Sequence, residues 1–205
     1  MSEPTRFVEI ERKFDVDPGM PIPSWCDVPP VAGVSAGEVR HLDALYLDTA
    51  DLALARAGVA LRRRTGGPDA GWHIKGPLVD GARVELGWPL GEGDDVPEAV
   101  TAELAQWTTD PLEPLARIVN DRTAYELLDA AGGVVAEFVD DHVRTTDLRG
   151  GAEREWHEWE IELGPAAPAD PAERTAFFER VASAAIAAGA RDAGSTSKLA
   201  RALGR

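Results

Sequence analysis

Apolar and charged residues alternate along this chain in short bursts. In Phe7-Val8-Glu9-Ile10-Glu11-Arg12-Lys13-Phe14 the period of two predicts a β-strand with Val8, Ile10 and Phe14 on one face and Glu9, Glu11 and Lys13 on the other. The same two-faced pattern returns in 59–64, where Arg62 and Arg64 share a face, in Trp72-His73-Ile74-Lys75, and in Arg83-Val84-Glu85-Leu86. It returns again in 135–141, with Glu137 and Asp141 together, and in 157–163, where Glu158, Glu160 and Glu162 oppose Trp159, Ile161 and Leu163. Residues 39–48 and 121–128 complete the predicted strands, the second of them bearing Arg122. Segments 97–106 and 112–119 read as helices, and 51–57 as one helical turn before Gly58. Asp170-Pro171 predicts the start of a long helix through Ala188, with Phe177, Phe178, Val181 and Ile186 as its apolar stripe. The proline-rich stretch 18–36 reads as a loop.

Strands with one apolar and one charged face fit either an open sheet with a wet side or a closed barrel whose apolar exterior is covered by helices. The signs of the charges favour the barrel. Acids concentrate in the first and last strands (Glu9, Glu11, Glu137, Asp141, Glu158, Glu160, Glu162), and bases lie between them (Arg62, Arg64, Lys75, Arg83) with Glu85 among them. Closure would set the acidic strands beside one another and opposite the basic ones, which makes a site for a metal-bound polyanion. Parity with Glu137 places Asp141 rather than Asp140 on the charged face, unless a bulge reverses the two.

Composition narrows the function further. With 205 residues, 44% of them hydrophobic, the chain is expected to form one domain over 1–205. A net charge of −15 excludes nonspecific nucleic-acid binding and means that any polyanionic ligand must be met by a local concentration of bases. Only three lysines, Lys13, Lys75 and Lys198, stand against eighteen arginines, and all three sit in such charged segments. An ammonium is a compact point charge suited to phosphate oxygens. Cys26 is the lone cysteine, so no intrachain disulfide forms; the polar start 1–6 is no signal peptide, and the Ala-rich 181–190 is too short to span a bilayer. A soluble cytoplasmic protein with no membrane partner is expected, and a homodimer is compatible with the sequence.

Taken in order, Glu9-x-Glu11-x-Lys13, Tyr46-Leu47-Asp48-Thr49, Leu61-Arg62-Arg63-Arg64, Trp72 to Lys75, Arg83-Val84-Glu85, Arg122, Glu160-Ile161-Glu162 and Ser197-Lys198 resemble the CYTH, or triphosphate tunnel metalloenzyme, superfamily. The resemblance implies an α+β fold: a closed antiparallel eight-stranded β-barrel, the triphosphate tunnel, with helices packed on its outside. It implies binding of a triphosphate-containing small molecule or short polyphosphate with Mg²⁺ or Mn²⁺. Members of the superfamily often carry a second helical phosphate-binding domain, for which a chain ending at Arg205 leaves no room.

On that reading Lys13, Arg62, Arg64, Lys75, Arg83, Arg122 and Lys198 grip the phosphates, and Glu9, Glu11, Glu160 and Glu162 coordinate metal. Lys13 also takes part in catalysis, and Glu85 or Asp141 orients the attacking water. Arg12, Arg40 and Arg63 are expected to face outward, Glu158 to lie at a tunnel mouth, and Tyr46 and Asp48 to serve folding. His73 either touches a phosphate or is structural. Trp88, Trp107, Trp156 and Trp159 read as packing residues. The favoured activity is metal-dependent hydrolysis of inorganic triphosphate. Thiamine triphosphatase, for which Trp25 is the candidate ring cradle, a class IV type adenylate cyclase and a non-catalytic polyphosphate- or nucleotide-binding module are the alternatives.

Overall fold

A computed structural model describes residues 3–194 and 197–205; Met1 and Ser2 of the polar start lie outside them. The described strands are β1 (Thr5–Glu9), β2 (Glu11–Val16), β3 (Gly33–Val34), β4 (Glu38–Asp48), β5 (Ala60–Thr65), β6 (Gly71–Val79), β7 (Ala82–Pro89), β8 (Glu113–Leu128), β9 (Val134–Asp147), β10 (Glu153–Leu163) and β11 (Arg191–Asp192). The helices are α1 (Ala53–Arg56), α2 (Glu98–Leu104), α3 (Pro171–Ala187) and α4 (Lys198–Ala202). All strands join one antiparallel sheet in the order β1-β7-β6-β5-β4-β8-β9-β10-β2-β11, with β3 on β8.

The expected closed eight-stranded barrel is therefore corrected to an eleven-stranded sheet whose hydrogen-bond ladder does not close. Its first strand, β1, and its next-to-last, β2, are nevertheless consecutive in the chain. β1 pairs with β7, β2 pairs with β10, and only Ile10 separates β1 from β2. The N-terminal segment thus ties the β1 end of the sheet covalently to β2, the strand next to its other end.

The helix expected over 112–119 is instead the first half of β8, which continues through 121–128 as one sixteen-residue strand. Pairing on both sides decides this, with Ile118 opposite Ala44 of β4 and Thr145 of β9. Pro114, which a helix would accept at its first turn, sits at a register shift where a missing N–H costs no ladder bond. The long C-terminal helix is found as α3, with the Asp170 carboxylate accepting from the amides of Ala172 and Glu173. Its buried stripe is Phe177, Val181 and Ala185, spaced by four; Ile186 is one step around the helix and is half exposed.

α3 packs on the outer face of β2, β9 and β10 over Phe14, Trp25, Phe138, Trp159 and Ile161. α2 covers Leu61, Trp72, Ile74 and Trp88 from β5, β6 and β7. A third cluster lies on the inner face, where Leu199, Ala202 and Leu203 of the α4 region meet Ala44, Tyr46, Ile118 and Trp156. One part of the interior is therefore apolar rather than charged. Trp25 is a core residue of the cluster beneath α3, its ring 5.0 Å from that of Phe138. Trp88, Trp156 and Trp159 are likewise buried in packing.

Candidate functional site

The inner face of the sheet encloses a cavity of about 340 Å³. Its walls carry Glu9, Glu11, Lys13, Arg62, Arg64, Lys75, Arg83, Arg122, Glu160, Glu162 and Lys198, so eleven expected residues come together from eight elements. The alternation of the strands is the cause: residues two apart on β1–β2, β5 and β10 project to the same side. Glu85 and Asp141, expected to orient water, do not line the cavity; both are buried behind it in ion pairs. Arg40 does line it, correcting its expected outward placement, and its guanidinium donates to Glu137 at 3.1 Å. Arg12 and Arg63 do face outward, paired with Asp192 and Asp94.

One end is an anchor of buried charges. Glu160 accepts from Lys13, from Lys198 at 2.7 Å and from Arg122 at 2.9 Å. Asp141 takes Arg122 in a two-pronged pair at 2.8 and 2.7 Å and lies 3.0 Å from the Lys198 ammonium. Glu158, expected at a tunnel mouth, is buried here and pairs with Lys198 at 2.5 Å. Burial raises the Glu160 carboxyl, but Lys13, Lys198 and Arg122 outweigh it and hold the group well below the usual carboxylate range. Burial likewise opposes the Lys198 ammonium, and Glu158 with Glu160 pushes it well above its ordinary value. Parity is borne out at 140–141: Asp141 faces inward, whereas Asp140 points to the outer face and accepts from Trp159 Nε1 at 3.1 Å.

A second knot holds the other bases. Glu85 meets Arg62 at 3.0 Å, Lys75 at 2.9 Å and His73 Nδ1 at 2.5 Å. Despite burial, Arg62 and then His73 keep the Glu85 carboxyl ionised far below its ordinary range. His73 is buried, its Nε2 lies 2.9 Å from the Asp69 carbonyl, and burial lowers its pKa; it is a structural part of this knot. Glu9 accepts from Lys75 at 2.7 and 2.9 Å, yet burial and the neighbouring Glu85 raise it to about 7. A raised folded pKa favours the fold below the ordinary value of 4.5, and that contribution is lost as pH rises through about 7. Metal-free Glu9→Gln is therefore expected to lose less stability than the parent between pH 4.5 and 7. The difference is on the order of 3 kcal/mol in urea melts, and parallel pH curves would refute the assignment.

Between these knots the pairing is incomplete: Glu11 accepts from Lys13 at 2.8 Å and Glu137 from Arg40 at 3.1 Å, whereas Glu162 has no ion-pair partner among the described residues. Glu11, Glu162 and Glu137 are register neighbours across β2, β10 and β9. Burial first, then Glu11, raises the Glu162 carboxyl. Facing them, the buried Nε–H groups of Arg40, Arg62, Arg64 and Arg83 have no hydrogen-bond partner among the described residues. Burial and the nearby Arg62 cation lower Arg64 to about 9.

A family model described as the CYTH domain matches residues 8–185. The chain belongs to the CYTH family. Two uncharacterized Mycobacterium tuberculosis proteins, MT2285 of strain CDC 1551 and Rv2226 of strain H37Rv, are each 40% identical to this CYTH chain over 213 residues. The match takes in 98% of the chain but 41% of each relative's length. Among solved structures, bh2851 of Bacillus halodurans, provisionally named an adenylate cyclase, superposes with a TM-score of 0.63 at 18% identity, covering 96% of this chain and 97% of its own. PH1819 of Pyrococcus horikoshii gives 0.60 at 16% identity over 96% and 98%. HpAC1 of Hippeastrum, named for adenylyl cyclase and described with a dominant triphosphatase activity, gives 0.55 at 18% over 96% and 95%. At these identities the structural likeness establishes the CYTH fold.

Sequence reasoning missed Arg40 and the apolar part of the wall for one reason. On β4, Arg40 shares its inward face with Leu42, Ala44 and Tyr46, so the segment looks like an ordinary core strand. The pairing of Arg40 with Arg122 across the ladder reveals its place. Asp48 has the expected folding role: its carboxylate accepts from the amides of Leu54 and Ala55, both at 2.9 Å, and so starts α1. No helix among the described residues is long and apolar enough to cross a membrane.

Proposed function

We propose that this chain is a metal-dependent triphosphatase acting on triphosphate-containing small molecules or short polyphosphate, with inorganic triphosphate as the favoured substrate. One observation carries the reading. A single cavity holds buried guanidinium Nε–H groups lacking acceptors opposite an acidic row in which Glu162 has no ion-pair partner among the described residues and is pushed towards its neutral form. A polyphosphate chain with a divalent cation supplies both missing partners at once.

The donor chemistry fits Mg²⁺ or Mn²⁺, since the row offers only hard carboxylate oxygens. Glu11 and Glu162 would hold the metal, with Glu9 and Glu137 beside them. A metal bound there would neutralise phosphate charge and polarise phosphoryl oxygens. Asp141, Glu158 and Glu160 also place carboxylate oxygens within 4.8 Å of one another. Lys198 already neutralises that group, so Glu160 serves the cations more directly than it serves a metal.

The arginines would bind phosphate oxygens and hold the chain for in-line displacement, while Lys13, Lys75 and Lys198 would stabilise the charge that grows on the leaving and equatorial oxygens. Glu85 and Asp141 would act one layer back. The first fixes Arg62 and Lys75, and the second fixes Arg122 and Lys198, so the cations are oriented before substrate arrives.

The test is phosphate release from tripolyphosphate, ATP, thiamine triphosphate and pyrophosphate with Mg²⁺ or Mn²⁺. Release from tripolyphosphate, with Arg64→Ala raising KM at least tenfold, is the expected result. Binding of every compound without turnover would instead assign a binding module. The apolar wall formed by Leu42, Ala44, Tyr46, Ile118 and Leu199 favours a second reading, in which an organic group accompanies the triphosphate. Preference for ATP or thiamine triphosphate in the same panel, or formation of cyclic AMP, would select it.

A further inference from the structure

The loop 66–70 between β5 and β6 brings Pro68 and Asp69 to the wall of the cavity. Asp69 is the ion-pair partner of Arg64 among the described residues, and the two differ in their access to water: the arginine side chain is 8% exposed, the aspartate side chain 58%. The backbone beneath this pair is fixed. Gly66 enters the loop with φ +77°, and a Cβ there would fall 1.9 Å from the His41 carbonyl oxygen of β4. The Asp69 carbonyl lies 2.9 Å from His73 Nε2 and accepts from Arg64 Nη2 at 3.4 Å. From this placement we propose that Asp69 is a displaceable counter-ion: its carboxylate holds Arg64 in the empty cavity and gives way to a phosphate group of the ligand. The inference rests on the triphosphate-binding reading above and adds a residue that decides which ligands the site accepts.

A buried guanidinium needs an anion, and Arg64 has the cations of Arg62 and Arg122 near enough to repel it. Asp69 answers that need incompletely. Its carboxylate meets Nη2, while Nε–H has no acceptor. A phosphate group presents several oxygens and can take Nε–H and Nη2–H together, so it offers Arg64 more than the aspartate does. Releasing Asp69 costs little, because its carboxylate is already half in water and needs only to turn outward. Glu85 and Asp141 have no such exit: both are buried, so they stay with Arg62 and Arg122 when a ligand binds. An anion that fails to reach Arg64 leaves the aspartate in place, facing its negative charge. The contact therefore selects for chains long enough to extend to the β5 side of the cavity.

The test is calorimetric titration of the metal-free full chain with tripolyphosphate. Asp69→Asn is expected to bind roughly threefold or more tightly than the parent, because no ion pair has to open first. In an Arg64→Ala background the same substitution should change nothing. Melting curves supply the other half of the cycle: Asp69→Asn should melt below the parent when empty and together with it at saturating tripolyphosphate. Unchanged or weaker binding by Asp69→Asn would overturn the proposal. So would an equal gain in the Arg64→Ala background, which would mean that only the general negative field at the mouth had been reduced. These readouts are of binding, so the two ideas fail separately. Tighter binding by Asp69→Asn without phosphate release from any compound would uphold the counter-ion and remove the triphosphatase reading, whereas phosphate release with unaltered affinity would do the reverse.

Discussion

Glu162→Gln is expected to lower Mg²⁺-dependent phosphate release by roughly 10²-fold or more while raising the melting temperature of the metal-free protein. Both effects come from one cause. Burial and the adjacent Glu11 carboxylate make the ionised Glu162 unfavourable in the empty site, so removing its charge relieves the fold. A cation that would have used that charge then has a weaker seat. Metal-free melting curves and initial rates at saturating Mg²⁺ decide the matter, and a variant that turns over at the parental rate would remove Glu162 from the proposed metal set. Glu11→Gln should lower the rate as well but without the gain in melting temperature, because the Glu11 carboxylate also accepts from Lys13 at 2.8 Å.

The opposite stability effect is expected two residues away. Glu160→Gln should cost roughly 3–5 kcal/mol, read from urea denaturation, because it leaves Lys13, Lys198 and Arg122 buried around a neutral amide. Such cations are tolerated only while a carboxylate answers them. A loss below about 1 kcal/mol would mean that water reaches the cluster and screens it. The contrast matters for function: Glu160 and Glu162 share a strand, a face and a charge, yet one stabilises the fold and the other stores repulsion for a ligand to relieve.

Much of this was legible in the sequence. Period-two alternation placed nine of the eleven cavity residues on inward faces, since a strand allows its side chains only two directions; Arg122 and Lys198 came from the family resemblance. The parity argument also chose Asp141 over Asp140, because no bulge intervenes between Glu137 and Asp141 in the β9–β10 pairing. What stayed hidden depends on partners. Pattern alone could not show that 112–119 would be held between β4 and β9 as a strand. Nor could it show that Glu85 and Asp141 would be consumed by neighbouring cations, because the sequence gives the face of a side chain and not its distance from a counter-charge. Strand count and closure are set by register and by the step at Ile10, neither of which leaves a compositional mark.

That step at Ile10 has a mechanical consequence. Glu9 rides on the β7 edge of the sheet and Glu11 on the β10 side, so the two acids are hinged on different halves of the molecule although one residue separates them. A cation gripped by both would lace the halves together, and its departure would let them breathe. The interruption of the ladder at Ile10 thus falls between two of the acids proposed to meet the cation.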